Sequence, residues 1–269
     1  MNLLQTPARL YIDGIALWSE RLPGWELARD ILAGREPAPE QPAPRPAPGL
    51  LAPTERRRAP DTVAIAIESA MRACASAQRD PASLPCVFSS MHGDLAITDY
   101  MCATLSSTPM LVSPTKFHNS VHNAAAGYWS IGTGCNRPYT ALSAGEQSFG
   151  AGLLETCVQA LGDRQPILLV AYDIDARGPL APVARSRHLL SVALVVSPHR
   201  TACTRAQIDL ILTTQPGVVS RPRPENAALV AGNSTESCLP LMEALALGGS
   251  HEIVCLATRS LGLAMHVQS

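Results

Sequence analysis

Apolar residues recur in the stretch 61–76 at Val63, Ile67, Ala70, Met71 and Cys74, the i, i+4, i+7, i+8, i+11 spacing of one helix face. That stripe predicts a helix buried along one side, with Asp61 as its N-cap. Residues 10–18, LYIDGIALW, instead form a β-rich run fit for a first strand, and a short helix is expected over 25–33. Downstream, 84–89 reads as a short buried strand and 94–105 as a helix. Residues 120–131 read as a helix of small residues that neighbours approach closely. A strand over 139–144 leads directly into a helix over 147–161. The runs 166–172 and 189–196 have the length and flanking breaks of fully buried strands. Beyond them come a strand or short helix at 206–213, an amphipathic helix at 237–247, and a terminal hairpin made of 252–258 and 262–267. Strands alternating with helical segments indicate an α/β sheet covered on both faces.

With 269 residues, 46% of them hydrophobic, the chain buries one sizeable core or two small ones. Its apolar stretches are short and fall below the roughly 20 consecutive residues of a bilayer span, so no membrane span is expected. The opening residues MNLLQTPARLYID lack a basic region followed by an apolar run and a cleavage site, which makes the cytoplasm the expected location. A formal net charge of −1 argues against a general electrostatic role on nucleic acid or anionic membrane. Lys116 is the only lysine, so basic positions are arginine by default. Local clusters occur at Arg56 to Arg58, Arg185 with Arg187, and Arg221 with Arg223. They read as a solvated arginine face or as docking points for an acidic or phosphate-bearing partner.

The eight cysteines (Cys74, Cys86, Cys102, Cys135, Cys157, Cys203, Cys238 and Cys255) show no C-x-x-C pair or Cys/His ligand spacing. They are expected to be small buried hydrophobes in a reducing compartment, with no metal. Residues 36–60, EPAPEQPAPRPAPGLLAPTERRRAP, are rich in proline. They are expected to form an extended surface excursion with little internal order, either a stiff spacer or a proline-motif ligand.

Residues 113–153, SPTKFHNSVHNAAAGYWSIGTGCNRPYTALSAGEQSFGAGL, carry the most specific pattern. The run Asn123-Ala-Ala-Ala-Gly127-Tyr-Trp-Ser130-Ile131 is followed by Gly134, Pro138, a strand and a helix. This order resembles the nucleophile-elbow region of the β-ketoacyl synthases, where the strand delivers a cysteine to the start of a buried helix. Without a gap, the register puts Glu146 at the cysteine position. The chain thus resembles the β-ketoacyl-synthase-like family of the thiolase superfamily. Within it, the chain is similar to the non-catalytic chain length factors of type II polyketide systems, including those making aryl polyenes. The resemblance implies an α/β thiolase-like fold with a complete N-terminal half, residues 1–200, and a truncated C-terminal half, residues 201–269, packed on the same core. It runs from the first strand to about Val196 and resumes in shortened form over 225–267.

Claisen condensation needs a nucleophile that attacks a thioester and then leaves well, which a cysteine thiolate at a helix N-terminus satisfies. Glu146 does not, because its acyl form is a mixed anhydride and its attack on a thioester is uphill. A carboxylate at a helix start accepts backbone N–H bonds and gains about 0.3 to 1 kcal/mol from the dipole. Glu146 is therefore expected to be structural or to plug the pocket, and no catalytic residue is assigned. The resemblance further implies two histidines from the second half that polarise the malonyl thioester. No His-Gly-Thr-Gly-Thr stretch occurs, and neither His199 nor His251 lies in such a context.

The resemblance keeps two enzymatic alternatives in view. Family members with glutamine at the cysteine position decarboxylate malonyl thioesters, which draws attention to Glu146 and Gln147. An acyltransferase with a displaced nucleophile would use Cys135, whose other reading is a buried packing residue. The partners implied are an active ketosynthase, or a second copy in its absence, and an acyl carrier protein that the arginine clusters would meet; no cofactor and no nucleic acid are implied. In family dimers the strand before the elbow pairs across the two-fold, here Tyr139, Thr140, Ala141, Leu142 and Ser143, to Ala144. The loop before the Asn helix, Ser113 to Asn119 with Thr115, Lys116, Phe117 and His118, would reach the partner's acyl tunnel. Phe117 either walls that tunnel or packs under its own helix.

Other constellations are weaker. His92 and Asp94 read as an acid/base pair or as a loop histidine beside a helix-capping aspartate. His118 and His122 have a two-ligand metal spacing without a third ligand, and read as loop or partner contacts. No G-x-S-x-G and no glycine-rich phosphate loop occur.

Overall fold

The computed structural model describes residues 7–184, 186–214 and 217–269. Its strands are β1 (Ala8–Ser19), β2 (Leu22–Pro23), β3 (Cys86–Ser89), β4 (Tyr139–Leu142), β5 (Ile167–Asp173), β6 (Leu190–Ser197), β7 (Ala206–Thr213), β8 (Ser250–Leu256) and β9 (Gly262–Gln268). They join in one mixed sheet in the order β4-β3-β5-β6-β1-β7-β9-β8, with β2 paired to β1. β4, β3 and β5 are parallel, and the remaining neighbours are antiparallel. The helices are α1 (Trp25–Leu32), α2 (Pro53–Arg58), α3 (Asp61–Ser76), α4 (Leu95–Ser107), α5 (Pro114–His118), α6 (Ala124–Thr133), α7 (Ser148–Asp163), α8 (Ala181–Ala184), α9 (Pro224–Ala227) and α10 (Leu239–Leu247).

Strand periodicity explains the layering. Ile167, Leu169 and Ala171 of β5 face α7, α10 and α1, while Leu168, Val170 and Tyr172 face α3 and α6. Both faces of this strand are apolar because both are covered. β6 lies beside β5 from Ile167↔Val196 to Asp173↔Leu190, so the two runs expected to be buried strands share one sheet. Close approach of α3 to β1 rests on a glycine: a Cβ on Gly14 would lie 2.2 Å from the Ala73 carbonyl oxygen. β1 is bulged next to it, between Ile12 and Gly14.

Several local expectations are corrected. Asp61 is the first helical residue rather than the cap; Pro60 holds the N-cap position and Asp61 pairs with Arg45 Nε at 2.6 Å. The excursion over 36–60 is not without internal order. It carries α2, begun by Pro53 at the position where a fixed φ helps. It is latched by Ala43 N donating to Glu20 O and by Arg45 donating to Ala59 O, and Leu51 is buried. The small-residue helix starts at Ala124, and residues 114–118 form a separate turn of helix. α10 is not amphipathic: every residue from Leu239 to Ala246 is buried, with Glu243 satisfied by Asn226 and the Arg223 N–H. Residues 206–213 take the strand alternative, and the terminal hairpin forms with β8 beginning at Ser250. β7, β9 and β8 extend the first sheet edge-on, so the C-terminal part continues the sheet.

Asp173, at the end of β5, ties the parts together. It is 2% exposed, and its carboxylate accepts Ser90 Oγ at 2.8 Å, Met91 N at 3.0 Å and Thr235 Oγ1 at 2.9 Å. Its backbone carbonyl accepts Asn233 Nδ2, which also donates to Arg187 O and His188 O. Burial pushes the Asp173 carboxyl up to about 6, against the lowering effect of its hydrogen bonds from Ser90, Thr235, Met91 and His92. A carboxyl raised above its unfolded value holds its proton more tightly when folded. Its contribution is fully present below the unfolded pKa and is lost as pH rises through the folded one. Chemical denaturation should therefore show this group lowering stability by about 3 kcal/mol between about pH 4 and pH 7.5. Asp173→Asn should remove that part of the slope, and parallel stability–pH curves for the two proteins would refute the assignment.

Candidate functional site

The parallel strands β3, β4 and β5 end together, where ligand sites of α/β sheets form. There the chain turns from β4 into α7 through Ser143 to Gln147, with Gly145 at φ +61°. Ser148 locks the turn: its Oγ donates to Gly145 O at 2.6 Å and accepts Ala144 N at 3.0 Å. Ser143 Oγ donates to Met91 O, and Ser89 Oγ to Ser148 O, which ties the corner to β3 and its exit loop. Gly150 lets α7 approach β8, since a Cβ there would lie 2.0 Å from the Leu256 carbonyl oxygen.

Glu146 occupies this strand-to-helix corner. Its side chain is exposed and makes no hydrogen bond or ion pair among the described residues. The expected capping role is not filled: Gln147 holds the N-cap position of α7 without a side-chain cap bond, and Ser148 ties the preceding turn instead. Nor does Glu146 plug a pocket; with Gln147 it lines one wall of a cleft of about 630 Å³. Arg221, residues 232–234, Glu236 and Ser237 line it too, with the apolar Leu239, Pro240 and Leu256. The C-terminal part thus completes a cleft at the elbow.

Thr115, Lys116, Phe117 and His118 are exposed on α5. Phe117 is 64% exposed, so it does not pack under its own helix. Lys116 Nζ lies 5.9 Å from the centroid of the Tyr100 ring, and His118 meets Tyr128 edge-on. Asn119 is turned inward, buried, with Nδ2 donating to Thr115 O. β4 is an edge strand, so Tyr139, Thr140, Ala141 and Leu142 have one unpaired flank, and Ser143 is exposed just beyond them. Met110, Leu111, Val121 and Ile131 are large exposed apolar residues in the neighbouring segments.

The remaining candidates are not assembled into chemistry. Asp94 caps α4 by accepting Ile97 N, and desolvation raises its pKa. Desolvation and then His122 lower that of His92, while His122 Nε2 sits 2.9 Å from Ser90 O. His118 and His122 therefore face different neighbours. His251 Nε2 contacts Gly248 O. Cys135 is buried with Sγ toward Leu84 O. Burial pushes the thiols of Cys74, Cys157 and Cys255 up to about 12, as inert packing thiols require. Cys102 departs from the expected pattern and is exposed. Arg185 lies outside the described residues; Arg223 is bound to Glu243 and Glu225, whereas Arg57 and Arg58 are exposed. Among the described residues no three His, Cys, Asp or Glu side chains are placed to hold a metal, and no helix is long and apolar enough to cross a membrane. Sequence reasoning missed Asp173, Asn233 and Thr235, whose only signal was an aspartate ending an apolar strand.

Residues 32–247 match the family model of the β-ketoacyl synthase N-terminal domain. No curated protein matches the sequence. The fold matches the complex of the ketosynthase ApeO with its chain length factor ApeC from Xenorhabdus doucetiae, at TM-score 0.71 and 18% identity over 97% of this chain and 99% of that one. It also matches the ishigamide ketosynthase/chain length factor at TM-score 0.65 and 16% identity, covering 96% and 98%. A third match is the AntDE:AntF type II polyketide synthase complex, a ketosynthase with its acyl-carrier protein, at TM-score 0.73 and 10% identity, covering 98% and 100%. At such identities the likeness is one of fold, the thiolase-like α/β fold. The chain belongs to the β-ketoacyl synthase family, through its N-terminal domain.

Proposed function

We propose that this chain is a non-catalytic subunit of the chain-length-factor type. It pairs with an active ketosynthase in polyketide or fatty-acid-type biosynthesis, aryl polyene formation being the system we favour, and limits the length of the acyl chain. The observation that carries the reading is Glu146 at the elbow, where the family's chemistry needs a thiolate. Cys135, the displaced nucleophile of the acyltransferase alternative, is buried and bonded to Leu84 O. The pairing surface would be the free flank of β4 with α5, whose Phe117 is largely exposed. Two of the similar structures are ketosynthase/chain length factor pairs and a third includes an acyl-carrier protein, which supports such partners for this chain. A cytoplasmic location fits this role.

The purified chain should form no ketoacyl product from acyl and malonyl thioesters. Glu146→Cys alone should not create the activity, since no histidine pair is present to activate malonyl thioester. Product from the wild-type chain above a heat-killed control contradicts the reading.

Because Phe117 is largely exposed, Phe117→Ala should cost well below the roughly 3 to 5 kcal/mol of a buried Phe truncation. In the cognate pair it should lengthen the products while leaving the amount of heterodimer nearly unchanged. A pair that assembles normally with unaltered products, and with Lys116→Ala equally silent, would make this chain a scaffold instead.

A further inference from the structure

The last two strands carry chemistry that the elbow does not use. Buried Ile253, Cys255, Met265 and Val267 alternate with residues that face outward, so Ser250 and Glu252 of β8 share one face with His266 of β9. Glu252 lies directly across from His266, and Ser250 lies diagonally from it. His266 Nδ1 sits 2.6 Å from Glu252 Oε1, and Nε2 sits 3.5 Å from Ser250 Oγ. A carboxylate only accepts, so it holds the Nδ1 proton and leaves Nε2 of the neutral ring as an acceptor for the serine hydroxyl. Asp209, across from His266 on β7, does not compete, because Arg9 donates to both its oxygens at 2.7 and 3.1 Å. β8 ends the sheet, and Val254 N donates to Ser220 Oγ on the side away from β9. Alternation along the strand turns the Ser250 N–H to that same side.

We propose that Ser250, His266 and Glu252 form a serine nucleophile site that cleaves small activated esters at the edge of the sheet. Ser250 Oγ attacks the ester carbonyl carbon as its proton passes to His266 Nε2, and Glu252 steadies the imidazolium. The Ser250 N–H supplies a backbone donor for the oxyanion. Collapse breaks the bond to the leaving alcohol, which departs with the proton from Nε2 and leaves an acyl-serine. Water then attacks this ester, Nε2 taking one of its protons and returning it to Ser250 Oγ as the carboxylic acid leaves. A catalytic hydrogen bond of 3.5 Å tightens once substrate is engaged. Such a triad is recognised by geometry and not by a sequence motif, so the lack of G-x-S-x-G does not exclude it. Ser250 and Glu252 are exposed, so water is not excluded and only substrates with a good leaving group are within reach. The site lies at the opposite end of the sheet from β4 and involves neither Glu146 nor a partner subunit.

Incubation of the full chain with p-nitrophenyl acetate tests it, followed by p-nitrophenolate release and by peptide mapping of the acetylated chain. An acetyl group on Ser250 is expected. Release should fall about tenfold or more in Ser250→Ala and His266→Gln, and be lowered in Glu252→Gln as well. Because their side chains are exposed, the Ser250 and Glu252 variants should keep the wild-type unfolding curve. Release unchanged in Ser250→Ala would make His266 a free imidazole base, and acetyl found only on Lys116, Cys102 or a histidine would place the nucleophile elsewhere. Either result overturns the proposal, as does the absence of release above buffer.

Discussion

The buried carboxylate of Asp173 is the constraint on which the arrangement of the site depends. Taking an unpaired carboxylate out of water is costly, and here the cost is offset by hydroxyl and backbone donors converging from two segments. Those segments are the exit of β3 and residues 233–235, both brought to the end of β5. Each donor is thereby fixed relative to the others. Asn233, which lines the cleft, is positioned by this knot, while the sheet itself is held by the apolar faces of β5 and β6.

Around that knot the chain turns from β4 into α7 with Glu146 at the corner. Ser148 ties both ends of the turn, Gly150 lets α7 lie against β8, and the corner residue projects toward a cleft. What the rest of the surface offers is an unpaired strand flank and exposed apolar side chains, Phe117 and Met110 among them.

Much of the fold was legible because its signals are local. The stripe Val63 to Cys74 declares a helix, and the runs at 166–172 and 189–196 declare buried strands, since their periods are set by neighbours a few residues away. The elbow was legible through Asn123, Gly127 and Pro138, which fixed the register that brings Glu146 to the corner. Legibility failed where long-range packing overrode local pattern. α10 has a Glu in its centre, which reads as a polar face, yet Asn226 and Arg223 satisfy that Glu inside the protein. The order within the proline-rich excursion is not legible in the sequence, because Leu51, Ala43 and Arg45 find partners that composition does not reveal.

The sequence by itself determined the order of strands and helices, the family to which the elbow belongs and the absence of a cysteine at its corner, since each follows from residue type and spacing along the chain. Tertiary structure alone decided that Asn119 turns inward while Phe117 projects, that Ser148 rather than Glu146 secures the turn, and that Arg221 shares a cleft with Glu146. It also decided that Asp173 reaches Thr235 across 62 positions of chain. The physical reason is that burial and hydrogen-bond satisfaction depend on groups brought together only when the sheet closes, and no local period encodes such a meeting.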